Sequence, residues 1–288
     1  MARIFCCLLL LAATARPGAP AAQTAPLALP TTSPRAVVLQ QVAATDIEVT
    51  YFRPLVGGRA IFGALVPWGQ VWRTGANNAT RIRFTTPVAL NGTPVDSGVY
   101  ELFTIPGERE WVVILQRSRG QWGSYAYDPA NDAARFTARP AALAAPVENF
   151  TIAFSDVTRS AATMSLAWDR VGVPIRITID LDATVSPRVE AALAAEGKRP
   201  YFLAAMYYYE NDLDLDRAAT LMRLALEGSP GHIGMLYRLA LILEKQGDIP
   251  GARLAAEQSL AGAAGAAPEL RDEYTRLNTA LLARLRSE

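Results

Sequence analysis

The sequence predicts an all-β N-terminal domain, an antiparallel sandwich of about nine strands, followed by an all-α helical domain. Three observations carry this reading. From Ala36 to about Asp182, short β-prone runs alternate with turn residues and no helical period separates them. After Ser186 the apolar period lengthens to that of helices. Within this second part a spacing of 34 residues recurs: Glu210 returns as Glu244, Asp214 as Asp248, Leu215 as Ile249, Ala218 as Ala252 and Leu226 as Leu260.

Taken in order, the expected strands are Ala36–Val42, Asp46–Arg53, Thr80–Leu90, Val99–Ile105, Trp111–Arg117, Arg135–Ala138, Glu148–Phe154, Thr163–Trp168 and Pro174–Leu181. Arg81 and Arg83 alternate with Ile82 and Phe84, as a strand with one buried face requires. The run Trp111 to Leu115 is apolar on both faces and reads as a central strand. Asn91-Gly92 suits a type I′ hairpin turn, whose two central residues need positive φ, and Pro106-Gly107 marks a further loop.

Ser186-Pro187 reads as a helix N-cap followed by a first-turn proline, with Gly197 as the stop. In the repeat that follows, Ala205, Ala218, Ala225 and Ala240 supply small residues for close helix packing. Tyr209, Gly247 and Pro230 supply an aromatic, a turn and a helix end. This arrangement resembles tetratricopeptide repeats, which implies antiparallel helical hairpins and a protein-docking surface. Two repeats expose apolar faces that neighbours must cover. A final helix, Pro268 to Leu285, offers a stripe of Leu270, Tyr274, Leu277, Leu281 and Leu285 for that purpose. The expected organisation is therefore a signal peptide over 1–22, a disordered lead over 23–34, a β-sandwich over 35–183 and a helical domain over 186–288.

The chain start carries one charge, Arg3, before the apolar stretch Ile4 to Ala13, and small residues follow. A bilayer span needs about 20 apolar residues, so this stretch reads as an export signal and the mature protein as periplasmic or extracellular, with no membrane span. Both cysteines, Cys6 and Cys7, fall inside the signal, so disulfides, thiol nucleophiles and thiolate metal sites are not expected. The 28 basic and 27 acidic residues are interspersed, which argues against nucleic acid as a partner. Lys occurs only at Lys198 and Lys245 in an Ala-rich chain, the bias of a GC-rich bacterial genome. In that setting the N-x-T matches at Asn78, Asn91 and Asn149 are coincidental.

The densest block of unusual residues runs from Gly58 to Thr80: G-R-A-I-F-G-A-L-V-P-W-G-Q-V-W-R-T-G-A-N-N-A-T. It is followed by S-G-V-Y-E-L-F-T-I-P and Q-W-G-S-Y-A-Y-D. Together these strings resemble the family of exported bacterial proteins designated domain of unknown function 2911, over about Ser33 to Phe154. The resemblance implies no activity that could be carried to this chain.

The chemistry must come from the residues. His232 is the only histidine, so a histidine metal cluster is excluded and no cofactor is expected. Glu210, Asp212, Asp214 and Asp216 fall in a turn between repeat helices and lack the glycine and closing Glu of a calcium loop. Ser-His and Cys-His mechanisms have no base or thiol in the β domain. What remains is a mixture of aromatic rings and directional donors: Arg59, Trp72, Arg73, Asn77, Thr80, Trp122, Tyr125, Tyr127, Asp128 and Arg135. It suits a glycan, peptide or carboxylate ligand. The same residues also suit a structural role, with Trp72 and Trp122 as core, Arg73 paired with Asp128 and Asn77 holding a tight turn. Asp46, Glu101, Asp128 and Asp132 are the carboxylates available to a glycan hydrolase. Between a non-catalytic binding or scaffold protein and such a hydrolase, the lack of catalytic machinery favours the first.

Overall fold

The computed structural model describes residues 29–117 and 120–286. The expected signal segment 1–22, with Cys6 and Cys7, and the first half of the expected lead, 23–28, lie outside the described residues. Among those residues ten strands alternate in chain order: β1 (Arg35–Val42), β2 (Thr45–Phe52), β3 (Thr80–Phe84), β4 (Val88–Leu90), β5 (Thr93–Val95), β6 (Gly98–Ile105), β7 (Trp111–Arg117), β8 (Asp132–Ala138), β9 (Ala141–Ser155) and β10 (Ala161–Thr178). They form a six-stranded sheet, β1-β2-β3-β6-β7-β8, and a four-stranded sheet, β5-β4-β10-β9, with antiparallel pairing throughout.

Alternation drives the layering. Ile47, Val49 and Tyr51 of β2, Ile82 and Phe84 of β3, and Met164, Leu166 and Trp168 of β10 all point into one core between the sheets. Burying each such side chain contributes about 1.5–3 kcal/mol, which is what makes one register win over its one-residue slip. The hairpin expected at Asn91-Gly92 is present, joining β4 to β5 with φ of +47° and +85°. Asn91 also bridges strands, accepting from the Arg176 N–H at 2.8 Å and donating to the Thr137 carbonyl at 2.9 Å.

Three expected strands are drawn differently. Thr80–Leu90 is not one strand: β3 belongs to the six-stranded sheet, β4 to the other, and the chain crosses at Thr85–Pro87. There Thr85 and Asp46 exchange hydrogen bonds, at 2.8 Å and 3.2 Å, while Pro87 has no N–H to give a ladder. Conversely, Thr163–Trp168 and the first five residues of Pro174–Leu181 are parts of the single strand β10, whose register shifts around Asp169, at φ +51°, and Leu181 already begins a helical turn. Pro174 is tolerated because β10 pairs with β9 up to Gly172 and with β4 only from Ile177.

One margin of the sandwich is stitched shut. Beyond β2 the chain runs beside β9, where the Phe150 N–H donates to the Pro54 carbonyl at 2.9 Å and the Val56 N–H to the Glu148 carbonyl at 2.8 Å. Arg53 donates through Nε to the Phe150 carbonyl at 3.1 Å. The buried Tyr51 hydroxyl accepts from the Ile152 N–H at 3.0 Å and donates to the Ile152 carbonyl at 3.3 Å.

After the β region come a single turn, α1 (Leu181–Thr184), and six helices: α2 (Ser186–Ala194), α3 (Tyr201–Glu210), α4 (Leu215–Glu227), α5 (Ile233–Gln246), α6 (Ile249–Ala263) and α7 (Pro268–Arg284). Ser186 is not the N-cap expected of it. Val185 takes that position, and the Ser186 hydroxyl instead shares a 3.0 Å hydrogen bond with the Tyr207 hydroxyl. The 34-residue spacing coincides with paired helix starts: Asp214 and Asp248 each cap a helix by accepting from the N–H three residues on. Asp212 pairs with Lys245 and Asp216 accepts from Gln246, so the acidic run serves the turn and its neighbours. His232 caps α5 through Nδ1, which accepts from the Met235 N–H at 3.3 Å.

Ala218 and Ala252 have no exposed surface where α4 and α6 pack on α3 and α5. Ala218→Leu or Ala252→Leu is therefore expected to lower stability by about 1–3 kcal/mol through overpacking. Circular dichroism melts check this, and two silent substitutions would mean that the helices do not pack at these positions. Cover for the apolar faces comes from α2, through Leu193, and from α7 and its C-cap, through Leu281, Leu282 and Leu285. Leu270, expected in the α7 stripe, is exposed.

Candidate functional site

The Gly58–Thr80 block is a loop that closes one end of the sandwich. Gly57 and Gly58 turn the chain with φ of +54° and +70°. A tight bend then ties the Val66 N–H to the Ile61 carbonyl and the Gly63 N–H to the Val66 carbonyl, both at 2.9 Å. At its apex Phe62 meets the rings of Trp72, Trp111 and Trp168 edge-on, at 5.0–6.2 Å between centroids, and Trp68 stacks over it at 6.0 Å. Gly63 is obligatory: its φ is +86°, and a Cβ there would stand 2.5 Å from the Trp68 indole nitrogen.

The loop then docks on β6, with Trp72 and Thr104 exchanging backbone hydrogen bonds at 2.7 Å and 2.9 Å. Thr74, Gly75 and Asn77 all adopt positive φ. The turn they make is locked by the Trp72 Nε1–H donating to the Gly75 carbonyl at 3.0 Å and by the Thr80 hydroxyl donating to the Thr74 carbonyl. The segment is thus a hydrogen-bonded loop.

Arg59, Trp72, Arg73 and Asn77 come together along a cleft of about 660 Å³, with Trp168 and Leu65 among its other walls. Trp72 and Trp168 lie nearly parallel, 5.7 Å apart, and each is more than nine-tenths buried. Two donors here are unmatched: the buried Nε of Arg73 and the buried Nε1 of Trp168 have no hydrogen-bond partner among the described residues. Burial pushes the Arg73 pKa down from its ordinary value, with nearby Tyr125 acting in the opposite direction. Arg59 is exposed and spends its Nε and Nη2 on the Val56 and Leu55 carbonyls. Among the described residues that line the cleft there is no Asp or Glu; Glu148 reaches its margin, accepting from the Gly57 N–H at 2.8 Å.

The expected pair of Arg73 with Asp128 is not formed. Asp128 caps a short 3-10 turn, Pro129–Asn131, by accepting from the Ala130 N–H at 3.0 Å. Its position at the start of that turn commits the carboxylate to the local backbone. Tyr127 and Arg135 form a separate cluster around Asp132: Arg135 pairs with Asp132 at 3.0 Å and donates to the Tyr127 hydroxyl at 2.7 Å, which in turn donates to Asp132. Burial first, then the bond to Asp132, pushes the Tyr127 pKa up. Thr80 is buried behind the loop, and Trp122, weighed as core, is 63% exposed. Tyr127, Asp128 and Arg135 do not line the Arg73 cleft. Trp168 was not singled out in the sequence. Its alternation with Leu166 marks it as inward-facing, but nothing local says that it ends at a cleft.

Among the described residues no helix is long and apolar enough to cross a membrane. No curated protein and no solved structure matches the chain. A family model described as "Protein of unknown function (DUF2911)" matches residues 33–177, which run from the lead into β1 through the last residues of β10 and include every wall of the cleft from Ser33 to Trp168. With just over half of its 288 residues matched, the chain belongs to the DUF2911 family of proteins of unknown function.

Proposed function

We propose that this chain is an exported, non-catalytic binding protein whose β region takes a carboxylate ligand in the Arg73 cleft, with the helical region as a protein-docking surface. The observation that carries the reading is the buried Arg73 Nε, left without a partner among the described residues in a cleft whose described lining contains no carboxylate. A buried donor without a partner costs about 1–3 kcal/mol, more when charged, and an acceptor with negative charge would recover it. Two indole faces beside it supply apolar walls for the rest of a small molecule.

The carboxylates that a hydrolase would need are engaged elsewhere. Glu101 accepts from the Gln121 N–H at 2.7 Å and from its amide at 2.6 Å, Asp128 caps its turn, and Asp132 holds Tyr127 and Arg135. Asp46 accepts from Gln41 at 3.1 Å. None of the four is among the residues lining the cleft, which favours binding over hydrolysis.

Arg73→Ala is expected to leave the protein at least as stable as wild type, since no ion pair is lost and an unmatched buried donor is removed, and to show no coupling to Asp128→Ala in a double-mutant cycle. The same substitution should abolish binding of small carboxylates found by calorimetric screening of the full chain. Wild-type protein that binds no carboxylate, or binding that survives Arg73→Ala, overturns the reading.

A further inference from the structure

Tyr125 and Trp122 stand out on the surface: 83% and 63% exposed, they stack on one another at 5.8 Å with planes 20° apart. Exposed rings on a loop ordinarily find cover or move, and these are braced from below. Gln121, next to Trp122, is held by both oxygens of Glu101, a carboxylate only 2% exposed on β6. The Ala79 N–H donates to the Gln121 carbonyl at 3.0 Å, and Trp122 bridges to Asn78 through the backbone. Gly123, at φ +72°, brings Tyr125 so close that a Cβ would lie 2.7 Å from its ring. A buried carboxylate strut and a left-handed glycine are thus both committed to presenting two aromatic faces to water.

The platform adjoins the cleft. Asn77, one of the cleft's walls, accepts from the Gly123 N–H at 2.9 Å, so one residue belongs to both. The two halves ask for different chemistry: an anion at Arg73 and a flat, C–H-rich face on the rings. Uronic-acid sugars repeat both features on every ring, a carboxylate and an apolar C–H face, so adjacent rings of one oligomer can satisfy the two halves together.

Resting on the carboxylate reading of the cleft, we propose that the ligand is an acidic oligosaccharide, one uronate ring anchored at Arg73 and a neighbouring ring stacked on the Trp122–Tyr125 platform. Preorganised stacking of this kind adds affinity because no loop has to be ordered on binding.

The test is calorimetry on the full chain with galacturonate, tetragalacturonate, a neutral tetragalactoside and succinate. Tetragalacturonate is expected to bind at least about tenfold more tightly than the monomer, a difference of about 1.4 kcal/mol. Trp122→Ala should erase that advantage while leaving monomer affinity unchanged, Gly123→Ala should weaken the tetramer by displacing Tyr125, and Arg73→Gln should abolish both. Melts matching wild type confirm that the Trp122 variant is folded. The inference is overturned if the tetramer binds no better than the monomer, if Trp122→Ala leaves it unchanged, or if the neutral tetramer binds equally well. An acidic aromatic peptide or anionic vesicles saturating the platform in place of the sugars overturns it too. Arg73-dependent binding of succinate without either uronate sinks the sugar proposal and leaves the cleft reading standing; no binding of any carboxylate sinks both.

Discussion

Trp168→Ala is expected to cost about 3–5 kcal/mol of unfolding free energy, the range for emptying a large aromatic site that cannot collapse. Trp168 is 2% exposed and its ring meets Trp72, Phe62 and Phe150 at 5.7–6.2 Å. These partners are anchored by different parts of the chain, Phe62 and Trp72 by the locked end loop and Phe150 by β9, so they cannot close on the gap together. A typical domain holds about 5–15 kcal/mol in total, so this one change consumes a large fraction of it. Urea unfolding followed by circular dichroism measures the loss, with Trp122→Ala as the exposed control expected within about 0.5 kcal/mol. A loss for Trp168→Ala no greater than that of the control would mean that the aromatic cluster does not hold the end of the sandwich.

Tyr51→Phe is the second large effect, expected at about 2–4 kcal/mol although it removes a single oxygen. That hydroxyl serves both the N–H and the carbonyl of Ile152 across the sheets, and in its absence two buried backbone groups lose their partner, at about 1–3 kcal/mol each. The ring itself stays, packed edge-on against Phe150 at 5.8 Å, so the substitution isolates the hydrogen bonds from the packing. Hydrogen exchange at the Ile152 amide, read beside the urea melt, should show faster opening there than in the centre of β7. Unchanged protection at Ile152 would show that the bond contributes nothing.

Fold class was legible because it rests on period alone. Where the period misled, it did so for opposite reasons. From Thr80 to Leu90 the buried positions stay in phase, Ile82 and Phe84 before the crossing and Val88 and Leu90 after it, so the change of sheet at Pro87 leaves no mark on the alternation. In β10 the buried positions change phase between Trp168 and Val173, across the two register shifts on either side of Asp169; a continuous strand therefore reads as two. The candidate site was half legible. Arg59, Trp72, Arg73 and Asn77 lie close together in sequence within a block whose composition announces a special loop, and they share the cleft. Trp168 reaches that cleft from nearly the other end of the β region, a contact that only topology supplies. Asp128 looked like a partner for Arg73 by charge, yet the Pro at 129 and the Ala130 N–H claim it first.

The stitched margin has a consequence for how the protein behaves when damaged. β9 is the outermost strand of the four-stranded sheet, and its stretch from Phe150 to Phe154 is β-prone and uncharged. Its outward backbone groups at Phe150 and Ile152 are the ones that Pro54, Arg53 and Tyr51 occupy. Peeling those residues away would leave a bare strand that can recruit the same strand of another molecule, the route by which open sheet edges grow into aggregates. A weakened Tyr51 or Arg53 would then be noticed first as turbidity and lost yield, at temperatures where the bulk of the sandwich still holds its secondary structure.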